Sequence, residues 1–89
     1  QEVMDDRFTI RRQLVKIRDV LRDKVSVPIE ELFEDDAPKM EMIVTFMALL
    51  DMLMRGEISI KQPRPYEKIT ITAKELREND EDAEYMDEQ

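Results

Sequence analysis

The side chains here that could do chemistry are carboxylates and cations, and nothing completes a catalytic set from them. The 89 residues include no histidine and no cysteine, which removes zinc fingers and both Ser-His-Asp and Cys-His nucleophile activation. A single glycine, Gly56, rules out a glycine-rich phosphate loop. The carboxylates at Asp35-Asp36 and in the acidic run from Glu78 onward lack the D-x-[DN]-x-[DN]-G spacing of a calcium loop. Acid–base work would also need a pocket that raises one carboxyl pKa. These acids read as capping groups and a solvated tail. No enzyme, metal or cofactor is expected.

What is left is one stretch, Lys39 to Gln62 (KMEMIVTFMALLDMLMRGEISIKQ). It reads as a long apolar helix stopped at Arg55-Gly56, followed by a short alternating strand, Ile58-Ser59-Ile60. At 100° per residue, Met40, Met42, Ile43, Phe46, Met47, Leu49, Leu50, Leu53 and Met54 fill an arc of roughly 180°. That is more apolar surface than a small domain can easily hide, so part of it is a candidate interface. Five of the seven methionines lie between Met40 and Met54, and flexible thioethers suit interfaces as well as irregular cores. Ile43, Phe46, Leu50 and Leu53 are expected to pack at least partly in the core. Met42, Val44, Leu49 and Met52, at or beyond the arc's edge, are candidates for an exposed role. Glu41, Thr45, Ala48, Asp51 and Arg55 make up the outward face on this reading.

The elements that must position this helix follow in order. Residues 1–8 read as a lead-in from a longer protein, 9–76 as the domain and 77–89 as an acidic, disordered tail. Thr9 suits an N-cap. Ile10, Leu14, Ile17 and Leu21 form the core face of a first helix, widened by Val20 and Phe8. Arg11, Arg12, Lys16, Arg18 and Arg22 read as its solvated basic face. Val25 to Val27 is a strand candidate. Pro28 to Phe33 or Glu34 reads as a brief second helix with Ile29, Leu32 and Phe33 inward. Asp36 is the expected N-cap of the long helix. Past the two prolines of QPRPY, Lys68 to Thr72 alternates as a strand with Ile69 and Ile71 inward, pairing with residues 58–60 as a hairpin. Ala73 to Arg77 could add a helical turn.

Helix, strand, helix, long helix, strand, loop, strand is the order of a winged helix. The expected fold is therefore α+β and mainly helical, with three helices and a small antiparallel hairpin wing. Net charge is −8, with seven acids and one base from Arg77 onward, so the body is nearly neutral. A DNA-reading helix needs Arg, Lys, Asn or Gln on its outward face, whereas this one offers two acids against one base. A nucleic-acid binder using the first helix and the wing cations Lys61, Arg64 and Lys68 is the alternative to a protein-binding module. A homodimer through the apolar face is a third reading. The longest apolar run is far short of the ~20 residues that span a bilayer, so no membrane partner is expected.

The run Ile43 to Leu53, then Arg55 to Gln62, resembles the C-terminal winged-helix domain of the kleisins, and most of all prokaryotic segregation and condensation protein A. That family typically reads V-T-F-L-A-L-L-E-L and then a glycine and a strand ending in Gln. Tyr66-Glu67-Lys68-Ile69 matches its F-G-D-I-like wing segment at the aromatic and the isoleucine, with Glu67 and Lys68 in place of Gly-Asp. The E-E-L-F of residues 30–33 is similar as well. The resemblance implies a non-catalytic module that binds the ATPase head of an SMC protein and helps close a condensin-like ring. An accessory subunit resembling ScpB would be carried by a segment absent here, and the setting would be cytoplasmic and nucleoid-associated. By position, the implied head-binding residues are Met42, Phe46, Leu49, Leu50 and Leu53, with Tyr66 and Ile69 in the wing.

Overall fold

The computed structural model describes residues 9–79; the lead-in at 1–8, including Phe8, and the tail beyond Asn79, including Tyr85 and Met86, lie outside them. Helix α1 spans Ile10–Lys24 and α2 spans Lys39–Met54. Strands β1 (Ser26–Pro28), β2 (Ile58–Lys61) and β3 (Thr70–Ala73) form one antiparallel sheet in the order β1-β3-β2. This is an α+β arrangement compatible with a winged-helix-like domain. The expected second helix is instead a four-residue 3-10 turn, Ile29–Leu32. Phe33 is already extended and its N–H returns to the Glu30 carbonyl, and the acids that follow offer no further inward side chain. Ile29, Leu32 and Phe33 do pack against the core.

Sequence explains most of the local structure. The Thr9 side chain accepts the Arg12 N–H at 3.2 Å and caps α1, leaving Leu14, Ile17 and Leu21 buried one turn apart. Helix α2 begins differently from expectation: Pro38, not Asp36, is the N-cap, with no side-chain cap bond. Pro28 ends β1, opposite Thr70, which is tolerable because β1 is an edge strand. Ile71 pairs with Val27 on one side and Ile60 on the other. Buried Val27, Ile58 and Ile71, one from each strand, carry the sheet's contribution to a core shared with Leu14, Ile17, Leu21, Ala48, Leu49 and Met52. No helix forms over residues 74–78.

Helix α2 closes with a Schellman turn. The Gly56 N–H donates to Leu53 O at 3.1 Å and the Glu57 N–H to Met52 O at 2.9 Å. Gly56 has φ +79°, and a Cβ there would meet no atom within 4 Å. Its requirement is therefore the backbone conformation alone.

That turn delivers Glu57 to the one fully buried ion pair among the described residues. Arg18 Nε donates to Glu57 Oε1 at 2.9 Å and Nη2 to Oε2 at 2.8 Å, with the two side chains 0% and 1% exposed. Arg18 thus leaves the solvated stripe expected of it. The Arg77 N–H also donates to Glu57 Oε1, at 3.0 Å, and the Lys74 N–H donates to the Glu57 carbonyl. Arg22 donates to the Arg77 carbonyl.

Two outcomes are expected in urea unfolding. Glu57→Ala strands a buried guanidinium and should cost about 3–5 kcal/mol, most of it recovered when Arg18→Met is combined with Glu57→Met. Gly56→Ala should cost about 1–2 kcal/mol through φ alone, and Gly56→Asn less.

Candidate partner-binding face

The burial of α2 reverses the expected sidedness. Glu41, Val44, Thr45, Ala48, Leu49 and Met52 are buried, at spacing i, i+3, i+4, i+7, i+8, i+11. Met40, Met42, Ile43, Phe46, Met47, Leu50, Leu53 and Met54 are exposed. The expected outward residues Glu41, Thr45 and Ala48 are therefore inside, while Ile43, Phe46, Leu50 and Leu53, expected in the core, are outside. Of the residues considered for an exposed role, Met42 has it and Val44, Leu49 and Met52 do not.

Polar pairing with α1 accounts for the turned helix. The Thr45 hydroxyl lies 3.3 Å from buried Gln13 Oε1 and 2.8 Å from the Glu41 carbonyl, with geometry for donation to either. Lys16 Nζ is 3.5 Å from Glu41 Oε2 and 2.9 Å from Glu34 Oε2. Each buried polar group on this side of α2 thus has a partner, as burial demands. Ala48 and Thr45 are also small, which suits a face that must lie against another helix.

Among the described residues, the ring contact on the outer face is at a single point. Phe46 stacks in a tilted arrangement on Phe33, ring centroids 4.9 Å apart, and is otherwise open. Beyond Phe33, a shallow cleft lined by Ile17, Val20 and Leu32 runs on between α1 and the 3-10 turn. Of the residues expected to meet a partner, Met42, Phe46, Leu50 and Leu53 share this face. Leu49, 2% exposed, belongs to the core. Tyr66 is fully exposed in the wing loop with φ +70°, and Ile69 is half-buried against the core. Ile43, Met40, Met47 and Met54 complete the patch and were missing from the expected set. Their position in the apolar arc is the signal that could have included them.

Three of the five cations in the basic stripe of α1 are engaged within the domain. Arg18 is buried, Lys16 is paired twice, and Arg22 lies 3.5 Å from Asp19. In the wing, Arg64 sits 3.4 Å from Glu67. Among the described residues no helix is long and apolar enough to cross a membrane.

An apolar helix face left open on a small α+β domain, with this sequence along it, can be set beside known proteins. A family model described as segregation and condensation protein ScpA matches residues 4–74. The chain belongs to this family. A segregation and condensation protein A of Lactococcus lactis subsp. cremoris (strain MG1363) is 27% identical over 85 residues, covering 88% of this chain and 35% of that protein. One from Clostridium perfringens (strain 13 / Type A) is 30% identical over 71 residues, covering 80% and 29%. One from Myxococcus xanthus (strain DK1622) is 32% identical over 72 residues, covering 79% and 25%. This ScpA-family chain therefore spans about a third or less of the length of these relatives.

The two sides of α2 should separate cleanly in urea unfolding. Leu49→Ala removes a core side chain and is expected to cost about 2–5 kcal/mol. Its neighbour Leu50→Ala, at 56% exposure, is expected to stay within about 1 kcal/mol.

Proposed function

We propose that this chain is the winged-helix module of a kleisin subunit in chromosome segregation and condensation, and that it binds the ATPase head of an SMC protein through the outer face of α2. The observation that carries the reading is the solvent-facing row Met42, Ile43, Phe46, Leu50 and Leu53. Eight large apolar residues on one exposed helix face are far from the scattered pattern of an ordinary monomer surface. A partner helix or sheet that covered them would gain hydrophobic free energy at about 25 cal/mol per Å² of apolar area removed from water. The role is that of a non-catalytic bridge that helps close a condensin-like ring. An accessory subunit resembling ScpB would bind a part of the full-length protein outside this chain.

Within the face, Phe46 is the natural anchor. Its ring is held from behind by Phe33, so little side-chain freedom remains to be lost on docking. Leu50 stands one turn further along, and on this reading Tyr66 and Ile69 give the wing a second, smaller contact. The row along α2 matches the way an amphipathic helix presents i, i+3, i+4 and i+7 anchors to a groove.

Co-purification with an SMC head domain tests this. Phe46→Arg and Leu50→Arg each place a charge in the centre of the contact and should abolish capture, while circular dichroism and the urea midpoint stay near those of the parent. Unchanged capture by either folded variant would show that the face is not the contact.

A further inference from the structure

Half of the exposed apolar residues on α2 are methionines, and they divide sharply from Met52, the one methionine among the described residues that the core encloses. Met40, Met42 and Met47 are 41–47% exposed and Met54 is 84% exposed, whereas Met52 on the opposite side is 0% exposed. Leucine would supply comparable apolar area at these positions without redox chemistry. A thioether adds a sulfur that a peroxide can reach, and oxidation turns a flexible apolar side chain into a polar, chiral one.

From this we infer that the outer face of α2 is a modification site for hydroperoxides, and that oxidation of Met40, Met42, Met47 and Met54 to sulfoxides switches off docking without unfolding the domain. The docking half rests on the function proposed above. In each step the thioether sulfur attacks one peroxide oxygen. A sulfur–oxygen bond forms, the O–O bond breaks, sulfur loses two electrons, and hydrogen peroxide leaves as water. The four residues lie on the exposed side of α2, so a new S=O dipole is open to hydration in the free chain and the core is untouched. When a partner covers the face, the same dipole loses its water and finds an apolar surface, a penalty large enough to weaken binding about tenfold or more. Docking in turn shields the sulfurs, so partner and oxidant compete for one surface. A methionine sulfoxide reductase, drawing two electrons from a dithiol that becomes a disulfide, returns the sulfoxide to the thioether with the oxygen leaving as water, which makes the site a switch and not a scar.

The test uses the 89-residue chain, hydrogen peroxide and a purified SMC head. The chain is oxidised alone, peroxide is removed, and peptide mass spectrometry maps the sulfoxides. The expected map has oxygen on Met40, Met42, Met47 and Met54, with Met52 spared and the urea midpoint retained. Head binding should fall about tenfold or more, and peroxide added to the preformed complex should leave the four sulfurs unmodified. A variant with leucine at those four positions is compared only with itself: its head binding, whatever its level, should be the same before and after peroxide treatment. Oxidation of Met52 as fast as the four, or loss of the fold on oxidation, would overturn the modification site. Unchanged binding by the oxidised chain, or equal loss of binding by the peroxide-treated four-leucine variant, would overturn the switch. If the untreated chain fails to bind the head, the proposed function fails and takes the switch with it, while the sulfoxide map still decides the modification site.

Discussion

The structure turns on the ion pair between Arg18 and Glu57. Two charges removed from water repay their desolvation only when geometry is good and every remaining polar atom is satisfied. Both conditions hold. The guanidinium meets the carboxylate through two nitrogens and two oxygens, and Glu57 Oε1 takes the Arg77 N–H as well. The same residue donates its N–H to the Met52 carbonyl at the end of α2, and its own carbonyl accepts the Lys74 N–H beside the sheet. One side chain and one peptide thus join α1, the close of α2, the start of β2 and the segment after β3. A leucine pair could fill the space, but it could not fix four elements in direction.

That constraint works together with two weaker ones to orient α2. Gln13 with Thr45 and Lys16 with Glu41 run up the α1–α2 contact from the Arg18 level. Turning α2 to bury Phe46 and Leu50 would hide more apolar area. It would also press apolar side chains onto the buried amide of Gln13, leaving that group without the partner it has in Thr45, at a cost of about 1–3 kcal/mol. It would replace Ala48 with larger residues where the helices meet. Polar matching and side-chain size oppose that rotation, and the apolar surplus is left to solvent.

The sequence made the element order readable, along with the α1 core face, the Thr9 cap, the Gly56 stop and the β2–β3 pairing, because each rests on a local pattern. It made α2's existence readable but not its rotation. A helix apolar nearly all round has no clear inner side, so ranking residues by hydropathy favoured the wrong arc. Glu41 and Thr45 were assigned outward by type, yet their partners Lys16 and Gln13 lie 25 and 32 residues away. Arg18 was hidden for the same reason: one arginine in a basic stripe looks like the rest until Glu57, 39 residues on, comes beside it. The 3-10 turn was also out of reach, since Pro-Ile-Glu-Glu-Leu-Phe suits the start of either kind of helix. Of the proposed partner face, Phe46, Leu50, Leu53 and Met42 are legible as members of one apolar arc, whereas the place of Leu49 depends on the rotation of the helix.

The same helix therefore carries two surfaces, and under the proposed function this couples recognition to stability. Val44, Ala48, Leu49 and Met52 hold α2 to the core while Phe46 and Leu50, their immediate neighbours, are open. A partner that binds the outer row binds only the folded chain, because the row exists only when α2 is formed and turned this way. Such a partner stabilises the fold by RT ln(1 + [L]/Kd), about 2.7 kcal/mol at a hundredfold excess over Kd. In a domain of this size, where net stability is a small difference between large terms, that is a substantial share. An exposed apolar face is thus less a defect of the free domain than a reserve of stability, available to any partner that covers it.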